Sequence, residues 1–192
     1  EIKDKDFDTP TYLGSFRRVH NAFPLMSNKG VYGHQRATTS DKRVFLLTRS
    51  SFLGQQRYAS HSWSGDVVST WEVMKKQLAA GLNYSLCGIP YWNTDLGGFF
   101  ARKYNNNVHN IAYHELHVRW YQWGAFQPIM RSHNSSPVAV EIYQFGKKGD
   151  WAYDALEKYT HLRSPFALSL QHFMGSYQQS GQHHPTTHDG FS

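Results

Sequence analysis

Four short apolar runs in this chain each lead into a cluster of charged and aromatic side chains. Val44 to Leu47 leads to Arg49. His61 to Ser64 carries Trp63 and leads to Asp66. Asn83 to Ile89 leads to Trp92 and Asp95. Ala125 to Met130 leads to Arg131 and His133. Helix-patterned segments follow three of these runs. Repeated strand-then-helix units predict an α/β fold with a parallel sheet. In a parallel barrel all strand C-terminal ends lie on one face, and chemistry sits there. Charged groups at the same end of four strands mark a site rather than a packed core. Four strands are also half of an eight-stranded barrel.

The helical readings are these. Phe16, Val19, Phe23, Met26 and Val31 are spaced for a helix that Pro24 divides into two pieces. Asp66 to Ala80 reads as a helix with Val67, Trp71, Met74 and Leu78 on one face, Lys75 and Lys76 outside, and Gly81 as its stop. Ile111 to Trp123 and Asp150 to Arg163 read as two further helices. Residues 1 to 15 read as a loop, Ser40 to Arg43 and Asn105 to Asn107 as turns, and Pro90 to Phe99 as a loop holding Asp95 between aromatics.

The segment from Thr48 to Asp66 carries the clearest chemistry. It offers a cation, Arg49, a flat apolar surface, Trp63, and a lone carboxylate, Asp66. A sugar-cleaving pocket needs those three things: an apolar surface for the sugar face, a charge to hold hydroxyls, and an acid to protonate a leaving oxygen. The plainer alternative stands beside it, because an aspartate after glycine is commonly a turn residue or a helix N-cap.

Composition sets the bounds. The 192 residues suit one domain of ordinary size. An aromatic content of 16% fits either a large core or a carbohydrate-facing surface. The net charge of +6 is scattered apart from Lys75-Lys76 and Lys147-Lys148, which argues against a nucleic-acid partner. A single cysteine, Cys87, rules out an internal disulfide and leaves the compartment open. No stretch reaches the roughly 18 apolar residues of a membrane span. The charged start, Glu-Ile-Lys-Asp-Lys-Asp-Phe-Asp, has no signal-peptide pattern and reads as a linker continuing from a longer protein.

Taken together, four motifs resemble glycoside hydrolase family 31, the retaining α-glucosidases and α-xylosidases. They are Arg49-Ser50-Ser51-Phe52 with Gly54-Gln55-Gln56-Arg57-Tyr58, then Trp63-Ser64-Gly65-Asp66. Next comes Gly88-Ile89-Pro90-Tyr91-Trp92-Asn93-Thr94-Asp95-Leu96-Gly97-Gly98-Phe99, and last Phe126-Gln127-Pro128-Ile129-Met130-Arg131-Ser132-His133. The resemblance covers about Val19 to Arg163. It implies that residues 16–163 are the second half of a (β/α)8 TIM-type barrel, an incomplete one, starting just after the fourth strand. The family's nucleophile is an aspartate on that fourth strand, in a Trp-x-Asp-x-x-Glu-Pro-like segment absent from this sequence. The isolated chain is therefore expected to be inactive and, with unpaired strand edges, poorly stable.

The resemblance also assigns roles. Asp66 matches the general acid/base, with Trp63 as the aromatic wall beside it and no close cation expected. Arg49 matches the arginine near the nucleophile and the −1 sugar. Asp95 and Phe99 match pocket-lining positions after the seventh strand. His133 matches the histidine that holds sugar hydroxyls after the eighth strand, and Asn134 has no separate support. Other readings remain at each position: Arg49 as a structural ion-pair partner, Trp63 and Phe99 as core aromatics, Asp95 as a loop residue or buried partner of Arg49, His133 as a capping or core histidine. No metal or organic cofactor is implied, and the partner implied is an oligosaccharide. The Gln55-Gln56-Arg57 and Gly97-Gly98-Phe99-Phe100 text resembles bacterial members, which suggests a periplasmic or cytoplasmic enzyme. Xylose and glucose specificity are not separated.

The resemblance stops at Ser164. Among the residues beyond it, His183, His184, His188 and Asp189 could form a metal site or part of a polar tail. A third reading is that residues from about Ser164 are an out-of-frame translation. The codons of Met174-Gly175 give tryptophan when shifted by one nucleotide, and the same shift permits family-like text on either side.

Overall fold

The computed structural model describes residues 3–135 and 139–180. The segment expected as a plain loop holds a 3₁₀ turn, Asp4–Asp8, and a two-residue hairpin of β1 (Pro10–Thr11) and β2 (Gly14–Ser15). The two helical pieces around Pro24 are present as α1 (Phe16–Val19) and α2 (Phe23–Thr38). Pro24 stands in the first turn of α2, where its missing N–H would have had no partner anyway.

Three strands form one parallel sheet in the order β3 (Leu46–Thr48), β4 (Ser60–Trp63), β5 (Trp92–Asn93). The parallel arrangement expected from the strand-then-helix pattern is thus observed. The registers pair Thr48 with Ser62 and Trp63 with Asn93, so the three C-terminal ends lie side by side. Ser60 and Ser62 of β4 are buried, while His61 and Trp63 are half-buried. The alternation aims Trp63 away from the face that the serines occupy.

Helix α3 (Trp71–Leu86) corrects three expectations. It starts five residues after Asp66, and its N-cap is Thr70, whose hydroxyl accepts from the Val73 amide at 3.2 Å. Asp66 is therefore no cap. Gly81 does not stop the helix. It lies inside it, where a Cβ would come within 2.7 Å of the Trp92 indole, so the glycine is there to let β5 approach. The strand expected over Asn83 to Ile89 is the last turn of α3 followed by a turn at Gly88. Short apolar runs inside a helix and inside a buried strand look alike, and length alone did not separate them here. The expected apolar face is only partly used: Val67 and Met74 pack on the core, while Trp71 and Leu78 stay exposed.

Helix α4 (Ile111–Gly124) follows the expected bounds, capped by Asn110, whose side chain accepts from the amides of Ala112 and Tyr113. The main core lies against it: Leu96, Tyr113, Leu116, Trp120, Phe145 and Leu156 are all essentially closed to water. The strand expected over Ala125 to Met130 is not formed. The amides of Ala125, Phe126 and Gln127 bond back to Tyr121, Trp123 and Gly124 as turns continuing α4. The guanidinium of Arg163 then takes the carbonyls of Ala125, Gln127 and Pro128, which a ladder would need. Helix α5 (Trp151–Ser180) runs beyond the expected end at Arg163 and through Pro165. The expectations about residues 181–192, including His183, His184, His188 and Asp189, lie outside the described residues.

The cap assignment has a direct consequence. Thr70→Ala removes the acceptor for Val73, a change that costs about 1 kcal/mol in typical helices. Hydrogen exchange of the Val73 and Met74 amides should accelerate roughly fivefold in that variant. Asp66→Asn should leave both amides unchanged. Protection lost in Asp66→Asn and kept in Thr70→Ala would return the capping role to Asp66.

Candidate active site

Four of the expected site residues, Arg49, Trp63, Asp66 and Asp95, sit at or just past strand C-terminal ends, Phe99 lies in the loop beyond β5, and His133 follows a segment with no strand. Arg49 directly follows β3, Trp63 is the last residue of β4, and Asp95 stands two past β5. Between Trp63 and Asp66 the chain turns at Gly65, whose φ of +76° suits glycine alone. A side chain there would also crowd the stem of Arg49, 3.4 Å away. Gln55, fully buried, anchors the loop after β3. Its side chain accepts from the Phe52 amide at 2.9 Å and donates to the Ser62 hydroxyl at 3.0 Å.

Two arginine–carboxylate pairs dominate the site. Arg49 Nη2 donates to Asp66 Oδ1 at 3.0 Å, and Arg131 Nη2 donates to Asp95 Oδ1 at 2.6 Å. Both observations correct the sequence reading. Asp66 was expected to lack a close cation, and Asp95 was considered a partner of Arg49. Arg131 stands with His133 in the fourth cluster, but the sequence assigns it no role in the site. The pairs differ in kind. Arg49 and Asp66 are partly solvated, with side-chain exposures of 59% and 26%, so their bond contributes about 0–1 kcal/mol. Asp95 is completely buried, where removing a partner typically costs about 3–5 kcal/mol.

Both guanidiniums lie over Trp63, with Cζ to ring-centroid distances of 5.3 Å for Arg49 and 5.1 Å for Arg131. Such contacts stabilise by about 0.5–2 kcal/mol, depending on solvent access. Trp63 is thus a platform for charge rather than a member of the main core. Phe99 and His133 form the second aromatic group, centroids 4.9 Å apart, both half-buried. The loop carrying Asp95 and Phe99 is fastened to the His133 segment. Asn134 donates to the Gly98 carbonyl at 2.6 Å, and the Ser135 hydroxyl donates to the Phe99 carbonyl at 3.1 Å. Gly98 itself packs against Ser69 so closely that a Cβ would lie 2.7 Å from the Ser69 Cα. Asn134, which nothing in the sequence singles out, is therefore a structural tie.

Burial pushes the Asp95 carboxyl up to about 7; Arg131 and Arg49 pull it down, and Asp66 adds to the rise. His133 is lowered, first by desolvation and then by Arg131 and Arg49, with Asp66 opposing them. Beneath the Gly97 turn, fully buried His117 is lowered to about 3 by desolvation and by His114, so it stays a neutral ring at ordinary pH. Ligand atoms of Asp66, Asp95 and His133 all lie within 4.8 Å of one another. That set could hold a cation, but both carboxylates are already bonded to guanidiniums. What the cluster suits better is a polyhydroxylated neutral molecule: carboxylate and imidazole acceptors for hydroxyls, with Trp63 and Phe99 as apolar walls.

Comparison with known proteins identifies the family of this sheet and its strand-end cluster. The profile of the glycosyl hydrolases family 31 TIM-barrel domain matches residues 2–167. The chain is 49% identical over 166 residues to an α-xylosidase of Saccharolobus solfataricus, covering 85% of this chain and 22% of that protein. Its structure resembles the crystal structure of a family 31 α-xylosidase from Xanthomonas citri, with TM-score 0.79, 40% identity and coverage of 90% of this chain and 19% of that one. It also resembles a Flavobacterium johnsoniae family 31 dextranase complexed with isomaltotriose, with TM-score 0.81, 27% identity and coverage of 94% and 22%. The chain belongs to glycoside hydrolase family 31 and has that family's α/β TIM-barrel fold. It spans about a fifth of the length of the relatives it matches. Among the described residues no helix is long and apolar enough to cross a membrane.

The raised Asp95 makes stability fall with pH. The folded chain keeps this proton up to about 7, whereas the unfolded chain releases it near 4. The stability from this group is complete below pH 4 and is lost as pH rises through 7, by on the order of 4 kcal/mol at most. Asp95→Asn keeps an acceptor for Arg131 and removes the titration. The melting temperature of the parent relative to Asp95→Asn should therefore drop between pH 4 and 8. A difference that does not change with pH would mean that Asp95 ionises normally in the fold.

Proposed function

We propose that this chain supplies the second half of the catalytic barrel of a retaining α-glycosidase. The substrate is an oligosaccharide carrying non-reducing terminal α-linked xylose or glucose, and Asp66 is the general acid/base. One observation carries the reading: Asp66 is not the cap of the following helix, and its carboxyl stands among Arg49, Trp63, Asp95 and His133 at the strand ends. The α-xylosidases at 49% and 40% identity favour xylose, and the dextranase complexed with isomaltotriose keeps a glucose-based substrate in view.

In the first step Asp66 gives its proton to the glycosidic oxygen while a carboxylate from the other half of the barrel attacks the anomeric carbon. The bond to the leaving alcohol breaks and a covalent glycosyl ester forms. In the second step the Asp66 carboxylate takes a proton from water, which displaces the ester. Two inversions retain configuration. Arg49, more than half exposed, can leave Asp66 for the sugar or the nucleophile, the place that the family resemblance gives it. His133 takes hydroxyls, Trp63 and Phe99 wall the ring, and buried Asp95 holds Arg131 behind Trp63. The reading takes its nucleophile from the other half of the barrel, and Asp95 is buried and bonded to Arg131, so the chain alone should not turn over an aryl α-xyloside.

A chimera tests the reading. This chain's matched segment replaces the corresponding 166 residues of the Saccharolobus α-xylosidase. The chimera should hydrolyse a disaccharide substrate, and Asp66→Ala should reduce that rate roughly 10²–10⁴-fold. An aryl xyloside with a good leaving group hardly needs the proton, so its first step should survive and the covalent intermediate should accumulate. Azide, which needs no base, should restore turnover and yield the α-glycosyl azide. Equal loss on both substrates, or no azide product, would make Asp66 a structural residue.

A further inference from the structure

We propose that Arg131 is a positioning residue: it fixes the Trp63 indole and, through it, the Arg49–Asp66 pair. The inference rests on the functional reading above and goes beyond it, since Arg131 touches neither Asp66 nor any atom assigned to the reaction.

The case starts from Trp63. Its indole Nε1 is buried and has no hydrogen-bond partner. A buried indole is usually oriented by that bond. Here the contacts that remain to orient the ring include two guanidiniums, Arg49 from the β3 side and Arg131 from the β5 side. Arg49 is 59% exposed and bonded to a partly solvated carboxylate, so it is a poor fixed point. Arg131 is a good one. Its own exposure is 23%, its Nη2 is held by fully buried Asp95, and its Nε reaches Asn93 Oδ1 on β5 at 3.4 Å. Its backbone carbonyl also accepts from the Leu96 amide at 3.3 Å. The guanidinium is thus clamped through Nη2 and Nε to Asp95 and Asn93, with its Cζ 5.1 Å from the centre of the indole. Lysine could keep the charge but could not offer a planar face and an edge at once.

A buried ion pair is weak evidence for stability, because desolvation offsets its attraction. A positioning role explains why the pair is buried beside the site. The chain of contact runs from β5 through Asp95 and Arg131 to Trp63, and then to Arg49 and Asp66. Rate depends steeply on such placement; a 1 Å displacement of a catalytic group can lower it on the order of 10²-fold.

The test needs two arms. In the first, the 192-residue chain is labelled with ¹⁵N at its 6 tryptophan indoles, and Trp63 is assigned with Trp63→Phe. Arg131→Lys should broaden or shift the Trp63 resonance while core Trp120 stays in place, although the charge at 131 is kept. An unmoved Trp63 resonance in Arg131→Lys overturns the proposal. Movement of all the indoles together also overturns it, in favour of a general packing role. Asp95→Asn, which loosens the clamp without touching the arginine, should move Trp63 in the same direction, and no movement there counts against the clamp. In the second arm Arg131→Lys is placed in the xylosidase chimera. Positioning predicts kcat lowered roughly 10–10²-fold with KM changed less than about threefold. A raised KM with unchanged kcat would make Arg131 a substrate-binding residue and refute the positioning role. An inactive chimera with Arg131 intact would instead count against the functional reading, and the indole resonance would still decide this one.

Discussion

Two positive charges rest on one indole ring in this protein, and each is bonded to a carboxylate. Arg49 and Arg131 both lie about 5 Å from the centre of Trp63, with Asp66 and Asp95 as their partners. Above about pH 7, where Asp95 is ionised, opposite charges alternate around an aromatic plate, and the cluster of two pairs is close to neutral. This balance lets two carboxyl groups stand within 4.8 Å of each other beside apolar rings. Without the guanidiniums, the same carboxyls would repel each other and Asp95 would meet the full desolvation penalty of its burial.

The fold serves this cluster by bringing strand ends together and tying their loops. Small buried serines on β4 leave room for Gln55, which fastens the loop after β3. Gly81 lets β5 lie against α3. Beyond β5, the Arg131 to Ser135 segment replaces a strand with a series of separate ties: Leu96 to Arg131, Asn134 to Gly98, and Ser135 to Phe99. The result is a site on irregular backbone whose geometry is set by side-chain hydrogen bonds. Such a site depends on individual residues more than one carried by a continuous ladder would.

Much of this was legible in the sequence, and the rest was hidden for identifiable reasons. Asp66 was visible as a polar group past a strand end, Asp95 and His133 were picked out although the strands expected before them do not form, and the parallel sheet followed from the strand-then-helix order. The start of α3 was misplaced because both Asp66 and Thr70 are good caps, and only the hydrogen bond to Val73 separates them. Gly81 looked like a stop, but the indole it makes room for, Trp92, is eleven residues away along the chain. The run from Ala125 to Met130 has strand composition, yet Arg163, far along the chain, takes the carbonyls a strand would use. Arg131 was in plain view. Its importance comes from a distance to Trp63 across a sheet, and spacing along a sequence carries no record of that.

The central claim is that Asp66 faces the glycosidic oxygen from a platform built of Trp63 and its two arginines. A crystal structure of the xylosidase chimera with bound xylose tests it most directly. The account predicts the sugar ring between Trp63 and Phe99, a hydroxyl on His133, and an Asp66 carboxyl oxygen within hydrogen-bond distance, about 2.6–3.2 Å, of the anomeric oxygen. A sugar bound elsewhere, or Asp66 still bonded to Arg49 and turned from the anomeric centre, would contradict it.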